Sequence, residues 1–263
     1  MLSIPASAQV ITVAPVSQSV VGERLDAYVK KNKLREPAVH QLFEDAGCKG
    51  DNLAEQPVKH QNAPNLVCTL SGTNGHSIVV GAHFDLVERG DGVVDNWTGA
   101  ALLSSLYEGM AQQVRRHTFR FVAFTAEEQG MLGSQAYVKQ IQAAREPVSA
   151  MVNMDTLGLG ETEVWISHAD PRLVRLFDVA LKTVGLKATG MDVERIGSTD
   201  SESFRERKIP AITIHSLTQQ TLRVLHSSDD RIEKVNRDAY YRSYRTILFY
   251  LAVLDAKLDE EPR

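Results

Sequence analysis

Cysteine is scarce in this chain, with two in 263 residues. Two thiols cannot build the stapled framework of a disulfide-rich scaffold or a cysteine-only metal site. Cys48 and Cys68 lie 20 positions apart around a polar stretch, so they form either one bridge, if the protein is exported, or two free thiols. Neither sits at a helix start or in a histidine-rich setting that would lower its pKa, which argues against a cysteine nucleophile. Long apolar runs are also missing: none reaches the roughly 18 residues that a membrane helix needs. Basic residues are not in excess, with 29 Lys and Arg against 33 Asp and Glu. No charge footprint therefore points to nucleic acid or to an anionic membrane. Repeats, low-complexity blocks and Pro/Gly-rich linkers are absent, as is the G-x-S-x-G elbow of a serine hydrolase. What remains is 43% hydrophobic and 24% charged, the composition of an ordinary globular domain with a sizeable core.

The start, "MLSIPASAQ", lacks the charged and apolar regions of a signal peptide. It does carry Ala6-Ser7-Ala8, the small-residue pattern of a cleavage site. Residues 1–20 are accordingly read as a trimmed signal remnant or a flexible start, and 21–258 as one folded domain. A secreted or periplasmic location is expected, with the cytoplasm as the alternative.

Along the chain, strand-like and helix-like patterns alternate. Residues 19–32 place Val20, Val21, Leu25, Tyr28 and Val29 on one helical face, and "AVHQLFEDA" predicts a second short helix. "NLVCTL" and "HSIVVGAHF" are β-rich and separated by the turn-forming "SGTNG", which predicts a hairpin. Helices are predicted at 97–114, over "GSQAYVKQIQAA", near 171–184 and at about 236–256. Strands are predicted at 118–126, "VSAMVNMDTLG" and "PAITIHS". The alternation implies a single α/β domain, a mixed and mostly parallel sheet with helices on both faces.

In such sheets ligands gather at the carboxyl ends of the strands, and the polar residues there form a consistent set. His83 and Asp85 follow "SIVVGA"; Asp95 opens the next helix; Glu127 and Glu128 follow "TFRFVAFTA"; Asp155 follows "VSAMVNM". Far downstream, "RVLHSSDD" supplies His226, Asp229 and Asp230. So many carboxylates on one edge repel one another unless cations offset them. Imidazole plus carboxylate without thiolate suits zinc. Five ligands exceed the three that one catalytic zinc takes, and an Asp with two oxygens can bridge a pair. Asp95 is the natural bridge, with His83 and Asp155 on one ion and Glu128 and His226 on the other. His83 and Asp85, two apart in extended chain, project to one side, so Asp85 could orient the imidazole. Of the adjacent Glu127 and Glu128, one can bind metal while the other serves as general base.

The ordered motifs "GAHFD", "GVVDN", "FTAEEQGMLGSQAY", "NMDTLG" and "HSSDD" resemble the M28 zinc peptidases, a family of co-catalytic di-zinc aminopeptidases, over roughly residues 65–255. The resemblance implies a zinc-exopeptidase fold of the phosphorylase/hydrolase-like type and two Zn2+ per chain. It implies Asp95 as the bridging ligand, His83, Asp155, Glu128 and His226 as the others, Glu127 as general base and Asp85 as the residue behind His83. Asp230 corresponds to an acidic residue common in the family. The implied partner is a peptide with a free N-terminus, and no obligate protein partner is inferred. Ser201, in "STDSESF", stands where the family frequently has a His that helps to bind substrate or stabilise the oxyanion, which leaves Thr199, Asp200 and His215 as candidates for that part. Ser227 replaces the usual Thr after the last ligand.

The plainer readings are distinct. Asp95 could serve as a helix N-cap, and Asn96-Trp97-Thr98 matches a glycosylation sequon whose position beside the proposed bridge argues against its use. His40, His60, His76, His117, His168 and His215 are read as structural. Phe204, Leu217 and Leu225 are candidates for an apolar wall beside the metals. Rival functions are a one-zinc glutaminyl cyclase, an M20-type carboxypeptidase or deacylase, and an inactive zinc-binding domain. The 70 residues between Asp155 and His226 leave no room for the lid domain of the M20 type.

Overall fold

The computed structural model describes residue 11 and residues 13–183, 185, 189–191 and 197–261. Its centre is an eight-stranded sheet in the order β1-β2-β4-β3-β5-β8-β6-β7. The strands are β1 (Leu53–Gln56), β2 (Asn65–Leu70), β3 (Ser77–His83), β4 (Thr118–Phe124), β5 (Val148–Met154), β6 (Glu163–Trp165), β7 (Thr189–Met191) and β8 (Ala211–His215). The four central strands, β4, β3, β5 and β8, run parallel, whereas β1, β2 and β6 pair antiparallel with their inner neighbours.

Period-2 alternation decides what each face of the sheet buries. Ile78, Val80 and Ala82 of β3, with Phe119, Phe121 and Ala123 of β4, join the larger core. That core lies under α1 (Gln18–Asp26), α2 (Asn32–Asp45), α3 (Thr98–Ala111), α5 (Pro171–Thr183) and α7 (Arg237–Lys257). Val79, Val122 and Phe124 point the other way. They pack with Tyr137, Val138 and Ile141 of α4 (Leu132–Ala143) and with Phe204 of α6 (Ser201–Arg205). Helices thus cover both faces, as the alternation implies. Among the described residues no helix is long and apolar enough to cross a membrane.

Three local expectations change. β2 and β3 do not form a hairpin. The turn after β2 docks on the entry to β4, where the Thr73 and Asn74 amides donate to the Arg116 carbonyl, so the chain crosses β4 before β3 begins. β3 needs neighbours on both sides because all seven of its residues are buried. The helix expected over 19–32 stops at Asp26, and α2 begins at Asn32 rather than at Ala38. The break lets Arg35 turn inward, with its Nε donating to the Val29 carbonyl in the connection. Finally, Asn96 rather than Asp95 satisfies the start of α3, accepting the Gly99 amide at 3.0 Å.

Cys48 and Cys68 are disulfide-bonded with Cα atoms 6.2 Å apart, joining the end of α2 to β2. Closing a 20-residue loop is worth about 3 kcal/mol by the chain-entropy argument. Residues 1–10, which include Ala6-Ser7-Ala8, lie outside the described residues. Val16, also within the segment expected as a leader or flexible start, is tied down: its amide donates to the Tyr244 hydroxyl and its carbonyl accepts from Tyr241.

Candidate metal centre

The parallel strands end on one edge and deliver the expected residues to one place. His83 is the last residue of β3, Glu127 and Glu128 follow β4, and Asp155 follows β5. His226 lies on the loop between β8 and α7, with φ +50°. Asp95 sits in a tight, non-helical turn over Val93–Trp97 that feeds α3, and its peptide bond to Asn96 is cis.

Asp95 is at the centre of the cluster. Its Oδ1 is 3.2 Å from His83 Nε2, and its Oδ2 is 3.2 Å from His226 Nε2. His83 Nε2 is 3.9 Å from Asp155 Oδ1, and His226 Nε2 is 3.0 Å from Glu128 Oε2. Two sets of possible ligand atoms follow, His83–Asp95–Asp155 and Asp95–Glu128–His226, each within 4.8 Å. They share Asp95. A third grouping, His83–Glu127–Glu128, shows that Glu127 lies against the same centre. Burial grades across the site: His83 is 1% exposed and Asp95 7%, whereas the His226 side chain is 56% exposed.

The surroundings fix these groups. Asp85 accepts the amides of Glu127 at 3.0 Å and Glu128 at 3.1 Å, one on each oxygen. Toward His83, Asp85 Oδ1 lies 3.5 Å from Nδ1. Asp155 accepts hydroxyl hydrogens from Thr156 at 2.9 Å and Thr199 at 2.6 Å. Thr199 in turn accepts from Asn153. Asp230 accepts the amides of Val94 and Asp95.

Beneath the turn lies Arg35, 0% exposed, donating to the carbonyls of Phe84, Asp91 and Gly92 and facing the Trp97 ring at 5.6 Å. Gly92 has φ +59°, and a Cβ there would meet Arg35 Nη2 at 2.8 Å, so the close approach requires glycine. Sequence reasoning missed Arg35, since one Arg within a polar helical stretch carries no signal of burial.

The electrostatics call for cations. Burial pushes Glu127 up to about 9 and Glu128 to about 7, with neighbouring carboxylates adding to both shifts. Burial likewise raises Asp155 and lifts Asp200 to about 7. Burial works against Asp95 as well, yet hydrogen bonds from His226 and His83 hold it below the usual carboxylate range. The hydrogen bond to Asp95 lifts His226 to about 9. Protons thus stand in for the charge a metal would bring. Glu128 Oε1 is buried without a hydrogen-bond partner among the described residues, and the donors are imidazole nitrogens and carboxylate oxygens at one locus. The residues present fit zinc or a similar divalent ion.

The cluster opens into a cleft lined on its other side by Trp165, Thr213, His215, Leu217 and Leu225. Leu217 and Leu225 are where an apolar wall was expected. Phe204 is not: it is fully buried between Phe124 and Tyr137 in the smaller core. Trp165, on a three-residue strand too short to read from its pattern, was missed. Ser201 is 2% exposed, its oxygen taken by the Thr213 hydroxyl at 2.8 Å. Asn96 is 0% exposed and donates to the Met154 carbonyl, so the sequon lies inside the fold.

A parallel-centred α/β sheet with a cluster of imidazoles and carboxylates at its strand ends defines an α/β protein with a candidate divalent-metal centre. Residues 65–251 match the model of peptidase family M28, and the chain belongs to that family. A probable zinc metalloprotease of Pyrenophora tritici-repentis is 28% identical over 207 residues, 74% of this chain and 46% of its own length. A probable leucine aminopeptidase of Arthroderma benhamiae is 27% identical over 195 residues, 68% of this chain and 54% of its own. The chain therefore spans about half the length of the curated relatives it matches. The LapA aminopeptidase of Legionella pneumophila superposes with a TM-score of 0.80 at 19% identity, covering 92% of this chain and 72% of LapA.

Proposed function

We propose that this chain is an exported aminopeptidase that holds two zinc ions and removes N-terminal residues from peptides. The carrying observation is Asp95, whose two oxygens each face a separate imidazole at 3.2 Å. One site would comprise His83, Asp95 and Asp155, the other Asp95, Glu128 and His226. The names of sequence relatives, zinc metalloprotease and leucine aminopeptidase, support the same reading. The disulfide supports an oxidising, extracytoplasmic location.

Zinc held there supplies Lewis acidity toward a carbonyl oxygen and a water. The chain's own groups do the rest. Glu127 is not required by either ligand set and lies against His83 and Glu128. Its carboxylate takes the proton of the attacking water and passes it to the leaving nitrogen. Asp85 fixes the backbone of Glu127 and Glu128 through both amides. Thr156 and Thr199 orient Asp155. Leu217 and Leu225 give the cleft an apolar wall suited to an aliphatic side chain.

The test is hydrolysis of leucyl-p-nitroanilide as zinc is titrated into metal-stripped protein, with Glu127→Ala beside it. Activity saturating near two zinc per chain, and falling by about 10²–10⁴-fold in the variant, is the expected result. Saturation at one zinc with cyclisation of N-terminal Gln would favour a cyclase. Release of C-terminal residues would favour a carboxypeptidase, and zinc binding without turnover an inactive domain.

A further inference from the structure

One strand end facing the cleft carries no carboxylate. β8 finishes with Thr213, Ile214 and His215, all buried, at the same edge of the sheet as His83 and Asp155. His215 is 2% exposed and lines the cleft with Leu217, Leu225 and Trp165. Its Nδ1 accepts the Leu217 amide hydrogen at 3.0 Å. A backbone amide can only donate, so Nδ1 bears no proton and the neutral ring carries its hydrogen on Nε2. Burial holds the ring neutral, its pKa pulled down to about 4. With one nitrogen engaged and the other protonated, His215 cannot act as a general base. What it can do is donate.

That Nε2 is buried and has no hydrogen-bond partner among the described residues. Trp165, on the neighbouring strand β6, presents the same situation: its Nε1, a donor only, is buried and without a partner among the described residues. Buried donors without acceptors are uncommon because each forfeits its hydration. Two on one cleft wall indicate that the acceptor arrives with the ligand. Ser201 does not supply one, since its oxygen is already engaged by Thr213. The acceptors that a peptide brings are its carbonyl oxygens.

We propose that His215 is a substrate-contacting residue of this cleft, giving its Nε2 hydrogen to a carbonyl oxygen of the bound peptide beside the wall formed by Leu217 and Leu225. The proposal rests on the peptidase reading and adds a residue that none of the metal-ligand sets includes. The sequence left two readings of His215, a structural residue or, with Thr199 and Asp200, a candidate for the part of the missing histidine, and the proposal follows the second.

The test compares zinc-loaded wild type, His215→Phe and His215→Gln on leucyl-p-nitroanilide, with zinc affinity measured in parallel by chelator competition. Removing the donor is expected to lower kcat/KM by about 10–100-fold, with zinc affinity unchanged. Glutamine, whose side-chain amide carries N–H groups at a similar reach, recovers part of the loss. A second readout uses protein with 15N-labelled histidine, zinc-loaded and carrying Glu127→Gln, titrated with the tripeptide Leu-Gly-Gly. The His215 Nε2–H resonance is expected to be present before peptide and to move on saturation. A His215→Phe kcat/KM within about twofold of wild type, a zinc affinity falling in step with activity, or an unmoved resonance would each overturn the proposal. If wild type itself shows no turnover, the peptidase reading fails separately, and the resonance still decides whether His215 meets the peptide.

Discussion

Asp230 holds Asp95 across 135 positions of sequence: its two carboxylate oxygens accept the amides of Val94 at 2.6 Å and Asp95 at 3.2 Å. The backbone tie is returned, because the Asp230 carbonyl accepts the Asp91 amide at 2.7 Å. The loop that brings His226 to the cluster therefore also sets the turn that presents Asp95. Asp230→Ala removes both side-chain acceptors and frees that turn. Zinc affinity is expected to fall by about 10–100-fold, as for other groups that position ligands. Chelator competition measures this directly, and an unchanged affinity would mean that Arg35 alone suffices to hold the turn.

Stripping the metal has a pH-dependent cost whose sign follows from the raised carboxylates. Burial lifts Glu127 to about 9, Glu128 and Asp200 to about 7, and Asp230 to about 6. Each exceeds the ordinary carboxylate value of about 4, so the folded metal-free protein binds more protons than the unfolded chain. Its stability then falls as pH rises from about 4 through these values. His226, lifted to about 9 by Asp95, acts in the same direction. The Tm of metal-free protein is expected to decline between pH 5 and 8.5, while the gap to zinc-saturated protein widens. Thermal scans of both forms across that range check it. A gap that stays constant would show that the metal does not replace those protons.

The site was more legible than the way it is held. His83, Asp155 and the Glu127–Glu128 pair each follow an apolar run, and runs of that kind could be placed as strands without knowing their order. The false hairpin between β2 and β3 shows the limit: turn residues mark where the chain bends, but the partner of a strand is chosen by long-range packing. Positioning contacts fared worse. Asp85 stands two residues from His83, which suggested an imidazole partner and places it 3.5 Å from Nδ1, but nothing in the sequence signals that it also accepts the amides of Glu127 and Glu128. Arg35 left no trace at all, because burial of a guanidinium depends on carbonyls contributed by Val29, Phe84, Asp91 and Gly92. Phe204 illustrates the converse error, an aromatic near the site in sequence that fills the opposite core.

Arg35 is expected to be among the most sensitive positions for stability. Burial pulls its pKa down to about 10, but Asp230 and Asp85 help to keep it charged at neutral pH. Arg35→Met takes a donor from four carbonyls, of which that of Gly92 keeps the Trp97 amide, and removes a buried positive charge from beside Asp230 and Asp85. A loss of about 3–5 kcal/mol is expected, the range for breaking a buried charged contact. Arg35→Lys keeps the charge but not the planar fork, so most of the loss should remain. Urea unfolding at saturating zinc measures both variants. Full recovery by lysine would show that charge alone matters and the carbonyl contacts do not.

A second histidine outside the metal cluster sets a separate pH dependence. His117 is 0% exposed at the entry to β4, with Nδ1 3.2 Å from Asp255 Oδ1 and Nε2 3.3 Å from Asp259 Oδ1. Burial pulls its pKa down, yet the hydrogen bond to Asp255 and the charge of Asp259 outweigh that and raise it. Asp255 also accepts the amides of Arg116 and His117, and its own pKa is lowered. A histidine raised in the folded state stabilises fully below its unfolded value of about 6.5, and that contribution is lost as pH rises through the folded value. His117→Gln keeps a polar side chain but cannot carry the charge. The stability difference between wild type and variant is therefore expected to be largest below the unfolded value of about 6.5 and to shrink as pH rises above it. Because the metal cluster is common to both proteins, its titration cancels in the comparison. A difference that is flat with pH would mean that His117 stays neutral between its two carboxylates.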